Sequence, residues 1–218
     1  VGLCLLIIFY PHLGYKQPLV DEGMNIAIIQ PSLDPFQKYE NSYKNTIESA
    51  LVNLSNTNTD VDLLIWPESP LPYLNSSQDM NKLLARTNNL PVILSGGWDY
   101  NNGDLQNVMS VLGKKQTYAK QHLVLFGEYI PFEGLLRGLI GFFDMPMSTI
   151  KAGNTNQELF TINGKQVLGL ICFDIAFPLS YINQSKKADF IVNISNDTWF
   201  GSSYGPYQHL QIVRARAL

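Results

Sequence analysis

Cys172 closes the apolar run QVLGLIC and is followed by Phe173 and Asp174. A thiol placed where a strand runs out sits at the carboxyl edge of a sheet, the place where open α/β folds bind ligands. To act as a nucleophile it needs a base and a group that steadies the charge it generates. Glu68, in LLIWPES, meets the first need: Pro67 forces an extended exit from the apolar run and presents the carboxylate above the sheet edge. Apolar walls raise a carboxylate pKa towards neutrality, which suits a group that takes a thiol proton. Lys120, after TYA and before QHLVLFGE, meets the second by donating to a developing oxyanion. Glu128 stands eight residues further on, within reach of an ion pair with that lysine. Each residue also has a plainer reading. Cys172 could be a small buried hydrophobe, Glu68 a cap or a surface partner, Lys120 a solvated charge and Glu128 half of a weak surface pair. His122 is the other candidate base, but its neighbours supply no obvious orienting carboxylate.

Around these residues the chain alternates short apolar runs with helical spacing. Strands are expected at 24–30, 61–66, 91–97, 106–112, 166–173 and 189–195, several of them stopped by proline or by a turn such as YNNGD. Helices are expected at 39–54, with Tyr43, Ile47, Ala50, Leu51 and Leu54 on one face, at 80–86, near 177–185, and through HLQIVRARAL at the end. Continuous apolar strands separated by helices predict an α/β sheet covered on its faces. No repeat or low-complexity tract interrupts the pattern.

The 218 residues carry 15 basic and 18 acidic side chains, a formal charge of −3, with 45% hydrophobic and only 15% charged residues. This composition excludes general disorder, and the absence of a basic stripe argues against nucleic acid as a partner. Low charge with abundant apolar surface suits a protein that works beside apolar matter. Cys4 and Cys172 do not suggest a stapled scaffold, and His12, His122 and His209 form no spaced cluster with cysteines or carboxylates, so no metal site is expected. There is no HExxH helix and no GxxxxGK[ST] loop. The run VGLCLLIIFY at 1–10 is too short to span a bilayer, which takes about 20 residues. With 1–18 as a unit, it is read as the end of a membrane helix and a linker, the alternative being a buried strand or helix. Residues 130–147 are apolar apart from Glu133, Arg137 and Asp144. Leu139 and Phe142 there are expected to dip into a lipid interface, or else to pack as an ordinary amphipathic helix.

LLIWPES, YAKQHLVLFGEYIPFE and GLICFDIAFP, in that order, resemble the Glu, Lys and Cys segments of the carbon–nitrogen hydrolase (nitrilase) superfamily. KQHLVLFGEYIPFEGLLR, FFDMPMS and ISNDTWFGSSYGPYQH are more specifically similar to its apolipoprotein N-acyltransferase family. The resemblance implies a nitrilase-like α-β-β-α sandwich over 19–218, cut short at its C-terminus. It implies Glu68 as general base, Lys120 as electrostatic stabiliser and Cys172 as the nucleophile that carries an acyl group as a thioester. Glu128 and Asp174 would support the site, and the Phe173 N–H would complete an oxyanion hole. Tyr39 and Trp199, with Leu139 and Phe142, would meet substrate. One departure is visible: Phe173-Asp174 replaces the Tyr-Glu pair that usually follows the nucleophile. The family further implies a phospholipid acyl donor (phosphatidylethanolamine), a diacylglyceryl-cysteine lipoprotein as acceptor, no cofactor, and a bacterial inner membrane with the catalytic domain on its periplasmic side. Two other readings share the residues: a soluble amidase or nitrilase, and a non-catalytic lipid- or lipoprotein-binding module.

Overall fold

The computed structural model describes residues 23–32, 34, 37–124, 127–129 and 150–217, the Trp199 side chain excepted. The apolar run at 1–10 and the segment 130–147, with Leu139 and Phe142, lie outside the described residues.

Among the described residues eight strands form two sheets. The first takes β1 (Ile26–Ile28), β2 (Leu63–Ile65), β3 (Val92–Asn101), β4 (Asp104–Val111) and β5 (Thr117–Ala119) in that spatial order. β1, β2 and β3 run parallel, joined by helices α1 (Lys44–Asn56) and α2 (Gln78–Thr87), and the remaining pairs are antiparallel. The second sheet holds β6 (Phe160–Ile162), β7 (Lys165–Ile171) and β8 (Phe190–Ile194), with β7 and β8 parallel around helix α3 (Pro178–Ser185). Helix α4 (Gly205–Arg216) follows.

The period of two along β2 explains the layering. Leu63 and Ile65 point into one cluster with Leu94 and Met109 of the first sheet and Phe160, Val167 and Ile171 of the second. Leu64 points the other way, into a cluster with Ile47 and Leu51 of α1 and Met80 and Leu83 of α2. Tyr181 of α3 and Ile212 and Val213 of α4 pack against the second sheet. The result is helix, sheet, sheet, helix, the sandwich that the sequence implies. Among the described residues no helix is long and apolar enough to cross a membrane.

Local chemistry sets the boundaries. Ser77 caps α2 by accepting from the Met80 N–H at 3.1 Å, with Asp79 in the first turn and Arg86 in the last to complement the helix dipole. The β3–β4 hairpin closes on Asn102 and Gly103, at φ 52° and 90°, the left-handed pair that an Asn-Gly turn supplies. Three expectations need correction. β1 is a sheet edge rather than a buried strand, and Ile28 is 76% exposed. The helix expected from 39 begins at Lys44 after hydrogen-bonded turns, and it buries Ile47, Glu48, Leu51, Val52 and Ser55 while Leu54 is exposed. The short strand β6 has too few residues to show a period.

Gly96 on β3 lies where β2 ends: a Cβ there would sit 2.4 Å from the Ser69 nitrogen and 2.8 Å from the Glu68 Cα. That backbone cannot give way without moving Glu68. Gly96→Ala is therefore expected to lower stability by about 1–3 kcal/mol in a denaturant titration. An alanine that leaves the unfolding midpoint unchanged would contradict this packing.

Candidate functional site

Glu68, Lys120 and Cys172 stand at the ends of β2, β5 and β7, one after each apolar strand. Lys120 is 1% exposed, and its Nζ lies 2.8 Å from Glu128 Oε1 and 3.2 Å from Glu68 Oε1. The pair with Glu128, which resembled a weak surface contact in sequence, is thus buried. Glu68 accepts from Asn107 Nδ2 at 2.8 Å and, through its other oxygen, from the Asn196 N–H at 2.9 Å. Asn107 also reaches Glu128 at 3.4 Å. Both carboxylates are therefore held, not floating, as burial demands.

Burial works against the charge on Lys120, but Glu68, Cys172 and Glu128 more than offset it and lift its pKa well above that of an ordinary lysine. The site keeps this ammonium permanently. Burial, then the Glu68 carboxylate, pushes the Cys172 thiol up to about 12, against the pull of Lys120 and of a hydrogen bond from Ser195. At neutral pH Cys172 is a thiol, so for it to act as a nucleophile a base must remove the proton.

Cys172 has φ +50°, a left-handed backbone that turns the chain sharply from β7 into a short 3-10 helix, Cys172–Ala176. Asp174, 1% exposed, pins that turn. It accepts from the His122 N–H at 2.7 Å, the Tyr118 hydroxyl at 2.9 Å and the Ile171 N–H at 3.3 Å, which ties the loop after β5 to the loop after β7. Asp174 is also the orienting carboxylate that the neighbours of His122 did not reveal: His122 Nδ1 lies 3.2 Å from it, and the ring stacks on Phe177. His122 is committed to this contact. The shorter Asp174, in place of the usual glutamate, still fills a buried structural position. Phe173 is partly exposed and meets Phe177 edge-on.

Several partners carried no assigned role in the sequence. Asn107 had a visible cue, a polar side chain inside the apolar run QNVMSVL, and it is buried. Lys38 had none. It is buried, donates to the Ser69 carbonyl and lies 5.2 Å from the Tyr39 ring centre and 5.8 Å from that of Trp98. Burial lowers its pKa to about 8 although Glu68 opposes the shift. Tyr39 itself is half exposed. A cleft of about 860 Å³ opens here, lined by Lys38, Glu68, Ser195, Asn196, Asp197 and apolar residues of β1 and β8.

The expectation that the histidines stand apart from cysteines and carboxylates is overturned at His209. Its ring, the Cys172 thiol and the Asp197 carboxylate have ligand atoms all within 4.8 Å of one another. Folding brings α4 over the nucleophile, a contact between residues 37 apart in sequence. Asp197 Oδ1 and Oδ2 lie 2.9 and 3.0 Å from His209 Nδ1, and the Cys172 carbonyl oxygen 3.1 Å from Nε2. With both ring nitrogens engaged, this trio has the geometry of an ion pair rather than of a metal cage.

A face-to-face pair of sheets flanked by helices, with a glutamate, a buried lysine and a cysteine at three strand ends, defines the carbon–nitrogen hydrolase architecture. The carbon-nitrogen hydrolase family model matches residues 25–218, and the chain belongs to that family. It is similar to apolipoprotein N-acyltransferases: 34% identical over 89% of the chain to that of Pseudomonas syringae pv. tomato, 36% over 90% to that of Pseudomonas aeruginosa PAO1, and 32% over 95% to that of Vibrio vulnificus. The chain spans 40–44% of the length of these relatives. Among solved structures it resembles XC1258 from Xanthomonas campestris, a CN-hydrolase superfamily protein, with TM-score 0.60 and 16% identity over 89% of this chain and 71% of that one. Saccharomyces cerevisiae Nit3, of the nitrilase superfamily, gives 0.56 and 17% over 88% and 70%.

Two outcomes follow from the electrostatics. Lys120→Met leaves two buried carboxylates without their cation and should destabilise the protein by about 3–5 kcal/mol, read by chemical denaturation. Glu68→Gln removes a carboxylate that holds the thiol protonated. The pH midpoint of Cys172 alkylation by iodoacetamide should therefore fall below that of the parent, whatever the rate at one pH; a higher midpoint would contradict that electrostatic origin. A third concerns pH. Burial would raise the Asp197 pKa, but its bonds to His209 and Ser195 bring it below the ordinary value, while the bond to Asp197 leads in raising that of His209. The stability this pair contributes is lost as pH falls through the folded pKa of Asp197 and again as pH rises through that of His209. Melting temperatures of the parent minus those of His209→Gln should therefore peak between those two values.

Proposed function

We propose that this chain is the catalytic part of an apolipoprotein N-acyltransferase, acting by acyl transfer through Cys172. The observation that carries the reading is the similarity to enzymes of that one name over nine-tenths of the chain. The site geometry supports the chemistry. Glu68 takes the Cys172 proton as the sulfur attacks the ester carbonyl of a phospholipid, phosphatidylethanolamine in the simplest case. Lys120 and the Phe173 N–H steady the tetrahedral oxyanion. The carbon–oxygen bond breaks, Glu68 returns the proton to the departing lysophospholipid, and a thioester remains on Cys172. The α-amine of a diacylglyceryl-cysteine lipoprotein then attacks that carbonyl. The carbon–sulfur bond breaks, the amine proton passes through Glu68 to the thiolate, and the product is an amide. The exchange is ping-pong and draws on no metal or organic cofactor.

Glu128 holds Lys120 and Asp174 holds the nucleophile turn. Tyr39, Trp199, Leu139 and Phe142 are assigned to the substrate side of the site. Both substrates are lipids, so the enzyme works at a membrane; the apolar run at 1–10 supports its anchoring there, ahead of a catalytic domain over 19–218. We place it in the bacterial inner membrane, facing the periplasm, where lipoproteins mature.

The test uses the full-length parent in membranes with phosphatidylethanolamine labelled in its sn-1 acyl chain and no acceptor. A hydroxylamine-sensitive acyl adduct on Cys172 is expected, absent in Cys172→Ala and discharged by a diacylglyceryl peptide. Lys120→Met should slow its formation by roughly 10²-fold or more. Absence of the adduct, with ammonia released from small amides, would assign the protein to amide hydrolysis instead. Neither signal would leave a binding module.

A further inference from the structure

The three residues that follow β8 all touch the site. Ser195 Oγ lies 3.5 Å from His209 Nδ1, the Asn196 N–H donates to Glu68, and Asp197 holds the ring of His209. Ser195 Oγ also donates to Asp197 Oδ1 at 2.5 Å. His209 is the buried residue of α4, and its Nε2 lies 3.1 Å from the carbonyl oxygen of Cys172. These contacts form a chain. It runs from the Cys172 carbonyl through His209 and Asp197 to Ser195, and the Cys172 sulfur lies within 4.8 Å of ligand atoms of both His209 and Asp197.

These contacts have work to do. Cys172 sits at φ +50°, a conformation that L side chains other than Gly, Asn and Asp seldom adopt and that persists only where surrounding contacts over-determine it. A nitrogen facing a carboxylate and a nitrogen facing a carbonyl must both carry hydrogen, so the ring is an imidazolium. The charged groups that face it are Asp197, the Cys172 thiol and, further off, Glu68. Lys120 favours the anionic form of the same sulfur, against Glu68 and Asp197, and the His209 ring lies within 4.8 Å of it.

We propose that His209, oriented by Asp197, is a positioning residue for the nucleophile: its Nε2–H holds the Cys172 carbonyl and so the left-handed turn, while its charge favours the thiolate. The role in acyl transfer rests on the function proposed above; the effect on the thiol does not.

The experiment compares full-length parent, His209→Ala, His209→Gln and Asp197→Asn in membranes. Three quantities are read: the iodoacetamide alkylation rate of Cys172 as a function of pH, located by mass spectrometry; kcat and KM for adduct formation from labelled phosphatidylethanolamine; and the melting temperature. His209→Ala should slow alkylation at pH 7.5 by about fivefold or more, move its pH dependence upward, and lower kcat about tenfold with KM for the donor within twofold. His209→Gln retains one N–H for the carbonyl and should recover part of kcat but not the pH profile. Asp197→Asn should show the same upward shift in pH profile at smaller amplitude. Should His209→Ala fail to fold, the Gln and Asn variants decide by the pH profile alone. An unmoved alkylation profile in the folded variants, or losses that track melting temperature and nothing else, would overturn the assignment. If the parent forms no acyl adduct, the acyltransferase reading falls, while the alkylation comparison still decides the role of His209.

Discussion

The ammonium of Lys120, buried between two carboxylates, is the constraint to which the rest of the site answers. An ion taken out of water is tolerated only where its partners are fixed at hydrogen-bond distance. Glu68 and Glu128 supply that, and each needs holding in turn, which Asn107 and the Asn196 N–H do. β2, β4, β5 and β8 must therefore end at matched heights for the charges to balance. Gly96 serves the same end, because the Glu68 backbone approaches β3 too closely for a side chain there.

The nucleophile is governed by a second requirement. Its thiol lies in an apolar and partly anionic setting that keeps it protonated, with Lys120 drawing the other way. Such a thiol reacts only once a base removes its proton, and Glu68 is the carboxylate we propose for that step. A resting thiolate would be exposed to oxidation and to stray electrophiles. The left-handed turn at Cys172 and the buried Asp174 beside it hold the cysteine at the edge of the sheet, partly buried against the core.

Two carboxylate hubs, Asp174 buried and Asp197 partly exposed, hold the loops. Asp174 joins the loop after β5 to the turn after β7, and Asp197 joins the end of β8 to α4. The first accepts mostly from backbone N–H groups and from Tyr118, and burial raises its pKa; the second is paired with a histidine and has its pKa lowered. One is a buried acceptor for backbone N–H groups and the other is partnered by a histidine ring, although both are aspartates a few residues past a strand. The surroundings, not the residue type, separate them.

The sequence by itself determined the strands that carry the site, because each is a continuous apolar run ended by proline or by a polar residue. It also determined the residues at those ends, Glu68, Lys120 and Cys172, whose types suit one chemistry. The Asn-Gly turn was legible for the same reason: it is local, decided by a few neighbours. What tertiary structure alone decided is non-local. Nothing near His122 in the chain announces Asp174, nothing near His209 announces the Cys172 carbonyl, and Lys38 gives no sign that it is buried beside Glu68. Leu54 and Ile28 show the converse, apolar residues whose exposure follows from where a helix starts and which strand lies at the edge. Periodicity says which face of an element is apolar, but partners come from how two sheets stack, and only stacking brings residues over a hundred apart, such as Glu68 and Asn196, within 2.9 Å.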